Sequence, residues 1–436
     1  LTQKTSIMKA NSILQIIKNG NQKEQLRLLY CIALLNLTVI LLIFRINWLI
    51  DSPTYYSAGT LFLHGQIDEV RTPVYSIICA LASCISTYHV WVIVFLQCLL
   101  YLLSIAYLYK LSTFFIQKKH LQFIATAVYA CLPCFSAWIL CILTESIALS
   151  LAIIFTYYIL RYIRFSKIKD AVISNTLFAV LLMLRPSFIF LLPILIVLSL
   201  ILIIQKRKHC FINLCGLLIV FGFYLSYCYT FKQQYGVFST SSVGYVNQIE
   251  ILRRGQLLDY SELNSSTLQT CSYIDSTGVQ QLDSFKIRDL STTIEKDRIF
   301  KSSLKNNQKE YVILNLHKFI HLGSEPCFLV YANSRIEVLG GLLIRSTKSL
   351  SITFMMMYVI LIIYIFLLFK NIKQGNMPLL SAFLWLYIIG MFVTAIAGAQ
   401  SDYSRLILPC TPFIIICFFQ LWDKLIEFTP KDEVLE

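Results

Sequence analysis

Charge is scarce in this chain. Asp, Glu, Lys and Arg make up 14% of its 436 residues, against roughly a quarter in an ordinary soluble domain. That shortage excludes a soluble globular protein, a disordered chain and a coiled coil. Acidic residues are the scarcer sign, 23 against 37 Lys and Arg, for a formal net charge of +14. In a soluble protein that excess would mark a nucleic-acid surface; in a membrane protein it reflects basic cytoplasmic loops. Internal repeats and low-complexity stretches are absent, as are the broken, inverted halves of many transporters. Cysteine is not scarce, but twelve of the 14 Cys fall in or beside apolar segments, where the residue packs as a small hydrophobe. Cys131 and Cys134 form a CxxC with no second pair or nearby His, so packing is the reading.

Apolar residues are what the chain has in abundance, at 57%. Crossing ~30 Å of hydrocarbon takes about 20 of them in a row. Ten runs read as spans: 28–50, 88–112, 121–141, 145–163, 170–184, 186–205, 210–231, 350–369, 377–399 and 405–422, the fifth being short, with Pro186 blurring its boundary with the sixth. A further stretch, 73–87, fits an interfacial or re-entrant piece better than a span and is read as lying on the membrane. The distribution of basic residues agrees. With 73–87 outside the count and the N-terminus cytoplasmic, cytoplasmic segments hold 19 of the 37 basic residues, including Lys118, Lys119 and the cluster from Arg161 to Lys169. The short external loops and outer helix ends then hold only Arg45, Arg71, Arg185 and Arg405. The expected organisation is a cytoplasmic segment 1–27, a basic surface helix with no cleavable signal. A membrane domain follows over 28–231, with its first external loop at 51–87. An external domain occupies 232–348, helices follow over 349–422, and the tail 423–436 is cytoplasmic, as is the N-terminus.

Span centres are nearly free of charge, whereas transporters and channels place charges there. The unusual charges collect at the external ends: Asp51, Asp68, Glu69, Arg71, Glu145, Arg185, Asp402 and Arg405. Every base among them is Arg, whose planar fork binds phosphate or carboxylate bidentately. Carboxylates and arginines on one membrane face suggest an enzyme acting on a phosphorylated amphiphile. Asp51 closes the first span, and Ser52-Pro53 reads as the start of a helix running to about His64 and stopping at Gly65. Tyr55, Ala58, Leu61 and Phe62 share one face of it, so it should lie flat on the bilayer. Asp51 is then either a helix-start acid stabilised by the dipole or a catalytic carboxylate at the membrane surface. Tyr55 reads first as interfacial packing, Glu145 as an acid at a helix start, and Arg185 as a residue snorkelling to the interface.

Asp51-x-x-x-Tyr55, a short amphipathic helix, Gly65, then Arg71-Thr72-Pro73-Val74-Tyr75 resembles the first loop of GT-C glycosyltransferases, polytopic enzymes that take a sugar from a polyprenyl-phosphate donor. Protein O-mannosyltransferases and the lipid A aminoarabinose transferase are of this type. Thr144-Glu145-Ser146, Leu184-Arg185-Pro186 and Arg405-Leu406-Ile407-Leu408-Pro409 extend the resemblance over about 28–231 and 350–422. Ser76 stands where the first-loop motif often ends in proline, and Leu406 where Tyr often follows the late arginine; neither change removes a charge. The resemblance implies an all-α polytopic fold, a GT-C-like bundle of about ten transmembrane helices with two external juxtamembrane helices and a small, mainly helical external domain. It implies an inverting transferase in the inner membrane of a bacterium, acting at the outer face on a lipid, glycan or protein acceptor. Asp51 would be the general base, with Arg405, Arg185 and Arg71 binding the donor phosphate. Tyr55, Tyr75 and Asp402 would contact substrate. Glu145 would orient the acceptor or, with Asp51, hold a divalent cation such as Mg or Mn.

In the external domain 14 basic and 11 acidic residues nearly balance, as expected of a water-exposed fold. Cys271 and Cys327 are the two Cys of this domain and could pair if the compartment is oxidising. His317 and His321 stand at metal-binding helical spacing, but no completing Glu or Cys is evident. Asn264-Ser265-Ser266 is a glycosylation sequon, meaningful only in a eukaryotic secretory compartment. Two other functions remain open: an O-antigen polymerase or ligase, which keeps its arginines and histidines in the large loop, and a lipid-linked-sugar flippase, which expects midplane charges.

Overall fold

The computed structural model describes residues 13–274, 280–321, 334–336, 338, 339, 341, 342, 362, 379–398 and 403–428. Asp402, Cys327 and, apart from Ile362, the expected span 350–369 lie outside them. Helix α1 (Gln22–Ile43) opens on a capping box in which Asn21 accepts from the Glu24 amide at 3.0 Å and the Glu24 carboxylate accepts from the Asn21 amide at 2.9 Å. It stops at Ile43, short of the expected limit at residue 50. The next residues are extended because Asn47 bonds to another segment: its N–H donates to the Leu140 carbonyl at 2.8 Å and its carbonyl accepts from Ile142 at 3.3 Å.

Two short helices follow at the expected positions, α2 (Ser52–Leu63) and α3 (Pro73–Ile85), each with a proline in its first turn. Gly65, at φ +75°, ends the turn after α2, a conformation open to glycine at little cost. The two helices cross closely enough that a Cβ on Gly59 would lie 2.0 Å from the Ser76 carbonyl oxygen.

The bundle continues through α4 (His89–Ser112), α5 (Lys119–Cys131), α6 (Glu145–Phe165), α7 (Ile168–Leu184), α8 (Leu191–Ile204) and α9 (Cys210–Tyr235). The expected span 121–141 is broken: α5 meets a second piece, Pro133–Leu140, at 55°. Pro133 has no N–H to continue the ladder, which accounts for the break. Among the described residues seven helices are long and apolar enough to cross a membrane, and the bent pair makes an eighth. The expected fifth span is the 17-residue α7, ended where Arg185 turns extended before Pro186. The count of ten is therefore not reached among the described residues, while the all-α, polytopic architecture is. In α6, 78% of the apolar window is buried and the helix is central; in α9 only 22% is, and Phe211, Ile219 and Phe223 face outward as lipid-facing residues do.

A polar module follows α9: α10 (Val243–Arg254), α11 (Ser265–Cys271), an antiparallel hairpin of β1 (Ser272–Ile274) and β2 (Gln280–Leu282), α12 (Ser284–Leu290), α13 (Thr293–Asn306) and α14 (Gln308–His321). It has its own small core of Ile249, Cys271, Ile287 and Ile299. The hairpin adds a strand element to a region expected to be mainly helical. Helices α15 (Leu379–Gly398), α16 (Tyr403–Ile407) and α17 (Thr411–Phe428) return to the bundle.

Candidate active site

Three local devices bring distant charges to one end of the bundle. The extended segment after α1 lies against residues 140–142, and the Ser52 hydroxyl donates to the Ile142 carbonyl at 3.0 Å. Asp51 is thereby held beside the start of α6, where Glu145 stands. The Asp68 carboxylate accepts from the amides of Val70 and Arg71 at 2.8 and 2.6 Å, a turn that aims Arg71 back at α2. Thr72 donates to the Leu184 carbonyl at 3.0 Å and so pins the loop to the end of α7, one residue before Arg185.

The side chains then meet. Arg71 Nη2 is 2.6 Å from Asp51 Oδ1, and its Nε donates to the Thr54 hydroxyl at 2.8 Å. The Arg71 guanidinium lies 4.5 Å above the Tyr55 ring. Tyr55 meets Tyr75 edge to face at 4.9 Å. Arg405 reaches both carboxylates: Nη2 is 3.6 Å from Asp51 Oδ2, and Nε donates to Glu145 Oε1. Arg185 Nη1 stands 3.6 Å from that same Glu145 oxygen. Glu145 is fully buried, whereas 32% of the Asp51 side chain is exposed, so Asp51 is the acid that a substrate can reach. Burial holds the Tyr55 phenol above its ordinary range, keeping its hydroxyl protonated.

Among the described residues the site sets three arginines against two carboxylates. Its positive excess suits an anion. Two of its buried atoms, Glu145 Oε2 and Arg185 Nη1, have no hydrogen-bond partner among the described residues. Buried polar atoms of this kind ordinarily have a partner. Of the charged residues singled out in the sequence, Asp51, Arg71, Glu145, Arg185 and Arg405 converge here; Asp68 and Glu69 stand apart, in the turn that aims Arg71, and Asp402 lies outside the described residues. Tyr55 lines the cluster, and Tyr75, fully buried, backs it. Sequence reading passed over Thr54 and took Thr72 only as part of the first-loop motif; the partners of both are set by tertiary contact. It also passed over Tyr387 of α15, a buried hydroxyl with no partner among the described residues and within electrostatic reach of Arg185.

Residues 70–230 match the family model described as dolichyl-phosphate-mannose-protein mannosyltransferase. The match supports a membrane glycosyltransferase of GT-C type. No curated protein matches the chain. The mannosyltransferase match takes in Arg71, Glu145 and Arg185. Asp51 and Arg405 fall outside it and are placed in the site by their ion pairs.

Proposed function

We propose that the protein transfers a sugar from a polyprenyl-phosphate donor to an acceptor hydroxyl, with inversion, at the outer face of the membrane. The observation that carries this reading is Arg405 bridging the partly exposed Asp51 and the buried Glu145 at a cluster with net positive charge. Asp51 takes the acceptor proton as the acceptor oxygen bonds to the anomeric carbon. The bond from that carbon to the phosphate oxygen breaks, and polyprenyl phosphate leaves. A base so placed contributes about 10²–10⁴ in rate.

In the resting site Asp51 is held by Arg71 and Arg405. An arriving phosphate competes for both guanidiniums. As they turn to it, Asp51 is released to accept a proton, so donor binding arms the base. Arg71, Arg185 and Arg405 stabilise the charge that develops on the leaving phosphate. Glu145 acts from behind as the buried counter-charge that keeps Arg405 and Arg185 in place, and Tyr55 holds the Arg71 plane.

A divalent cation fits this donor set poorly. Both carboxylates already face arginine, and a further double positive charge would add to an existing excess. Among the described residues no three His, Cys, Asp or Glu side chains are grouped as metal ligands. Chelator treatment should leave turnover unchanged; a loss restored by Mg or Mn would overturn that part. The central test is Asp51→Asn, with sugar release from a polyprenyl-phosphate donor measured in membranes. Turnover should fall about 10²–10⁴-fold with folding intact, and full activity would falsify the general-base role.

A further inference from the structure

The polar module touches both chain segments that supply arginines to Asp51, and one of its helices, α10, bonds to both. At the start of α10 the Ser242 amide donates to the Glu69 carbonyl at 2.7 Å. Near its middle the Asn247 amide group donates to the Gly398 carbonyl at 2.8 Å, and the adjacent Gln248 donates to Ala397. Carbonyls 397 and 398 close α15, where a helix leaves its last acceptors without internal partners. Two neighbouring side-chain amides from another part of the chain fill that need. Gln248 is itself held by the Tyr311 hydroxyl, so its donor end is oriented.

Both contacts lead directly to the site. Glu69 sits within the Asp68 turn that aims Arg71, and its carboxylate accepts from Thr293 at the start of α13, which packs on α10. The Tyr235 hydroxyl donates to Ile67 of the same turn at 2.7 Å. At the other end, α15 packs on α16, the short helix that carries Arg405. Among these elements α10 bonds to both segments, while Thr293 of α13 and Tyr235 of α9 hold the Arg71 side as well. Docking alone would need only one such anchor.

We propose that α10 is a strut whose Asn247 and Gln248 are positioning residues, setting the distance between the arginines that share Asp51. This rests on the glycosyltransferase reading above. The strut explains why a polar module is tied at two places to the loop end of the bundle. It also gives that module a lever on chemistry that it does not touch.

The test is the pair Asn247→Asp and Gln248→Glu in the full-length protein, which keep shape but turn each donor into an acceptor facing a carbonyl. Purified variant and wild type are compared per folded molecule. The turnover number kcat should fall about 10-fold or more, with donor KM changing much less, because lost preorganisation is felt mainly in the transition state. Hydrogen exchange should quicken at both 66–72 and 403–407, while Glu262→Gln, an exposed change in the same module, leaves both unchanged. Unaltered exchange at either segment overturns the strut. Quicker exchange with unchanged kcat overturns the positioning role. If the wild type transfers no sugar, the glycosyltransferase reading fails, and the exchange measurement still decides the strut.

Discussion

Arg405 is shared by two carboxylates that differ in what surrounds them. Glu145 is sealed within the protein and Asp51 is partly exposed, so on the proposed reading the same cation joins a structural acid to a reactive one. Lysine cannot reproduce this, because its single ammonium lacks the fork that spans two partners. Arg405→Lys should lower kcat about 10²-fold, the scale for losing one oriented donor at a developing anion. Initial rates at saturating donor would show it. Glu145→Gln should behave differently from Asp51→Asn. Removing a buried counter-charge leaves Arg185 and Arg405 unbalanced and costs about 3–5 kcal/mol, visible as a lowered midpoint of thermal unfolding in detergent. The charged members of the site were legible because charge stands out in a chain this apolar. Thr72, Asn247 and Gln248 were not, since their partners are backbone carbonyls far away in sequence.

At the scale of elements, the site depends on how closely α2 and α3 cross. Gly59 permits that approach, and its missing Cβ would meet the backbone of Ser76, which has no rotamer to move aside. Gly59→Ala should therefore force the pair apart, at about 1–3 kcal/mol, and shift Tyr55 from its place against Arg71. A drop in both thermal stability and turnover is expected; an unchanged enzyme would show that the crossing is not strained. The strut has an acid limit of its own. Glu250, inside α10, is bonded by Arg253 and Arg254, which hold its carboxyl down to about 2 from 4.5. A lowered folded value means the stabilisation is complete above the unfolded value and is lost as pH falls from about 4.5 towards 2. Exchange in α10 should rise across that window in wild type and less so in Glu250→Gln. The helices were legible from apolar runs and prolines. The break at Pro133 and the early end of α1 were not, because hydropathy continues through both; the pairing of Asn47 with residues 140–142 is a tertiary fact.

For the whole molecule the question is which end faces out, and α7 decides the parity. At 17 residues it is about 25 Å long, short for a span, yet its two ends are tied to the two ends of α6. Asp170, in its first turn, pairs with Arg161 at 3.1 Å, and Arg185, just past its last residue, pairs with Glu145 at 3.6 Å. Whatever thickness α6 crosses, α7 crosses beside it. Basic residues then gather at the end opposite the site, with Lys118 near Asp423 and Lys206, Arg207 and Lys208 in the exposed turn before α9. By the rule that such residues stay cytoplasmic, the expected orientation has Asp51 outside. Single cysteines at Tyr88 and Lys208, both exposed, give the check. An impermeant thiol reagent added to intact cells should modify Tyr88→Cys and spare Lys208→Cys, with the second reacting only after the membrane is opened. The reverse pattern would turn the site towards the cytoplasm. Reaction of both in intact cells would mean that the number of crossings between them is even, and α7 or the bent pair would then have to be a re-entrant loop.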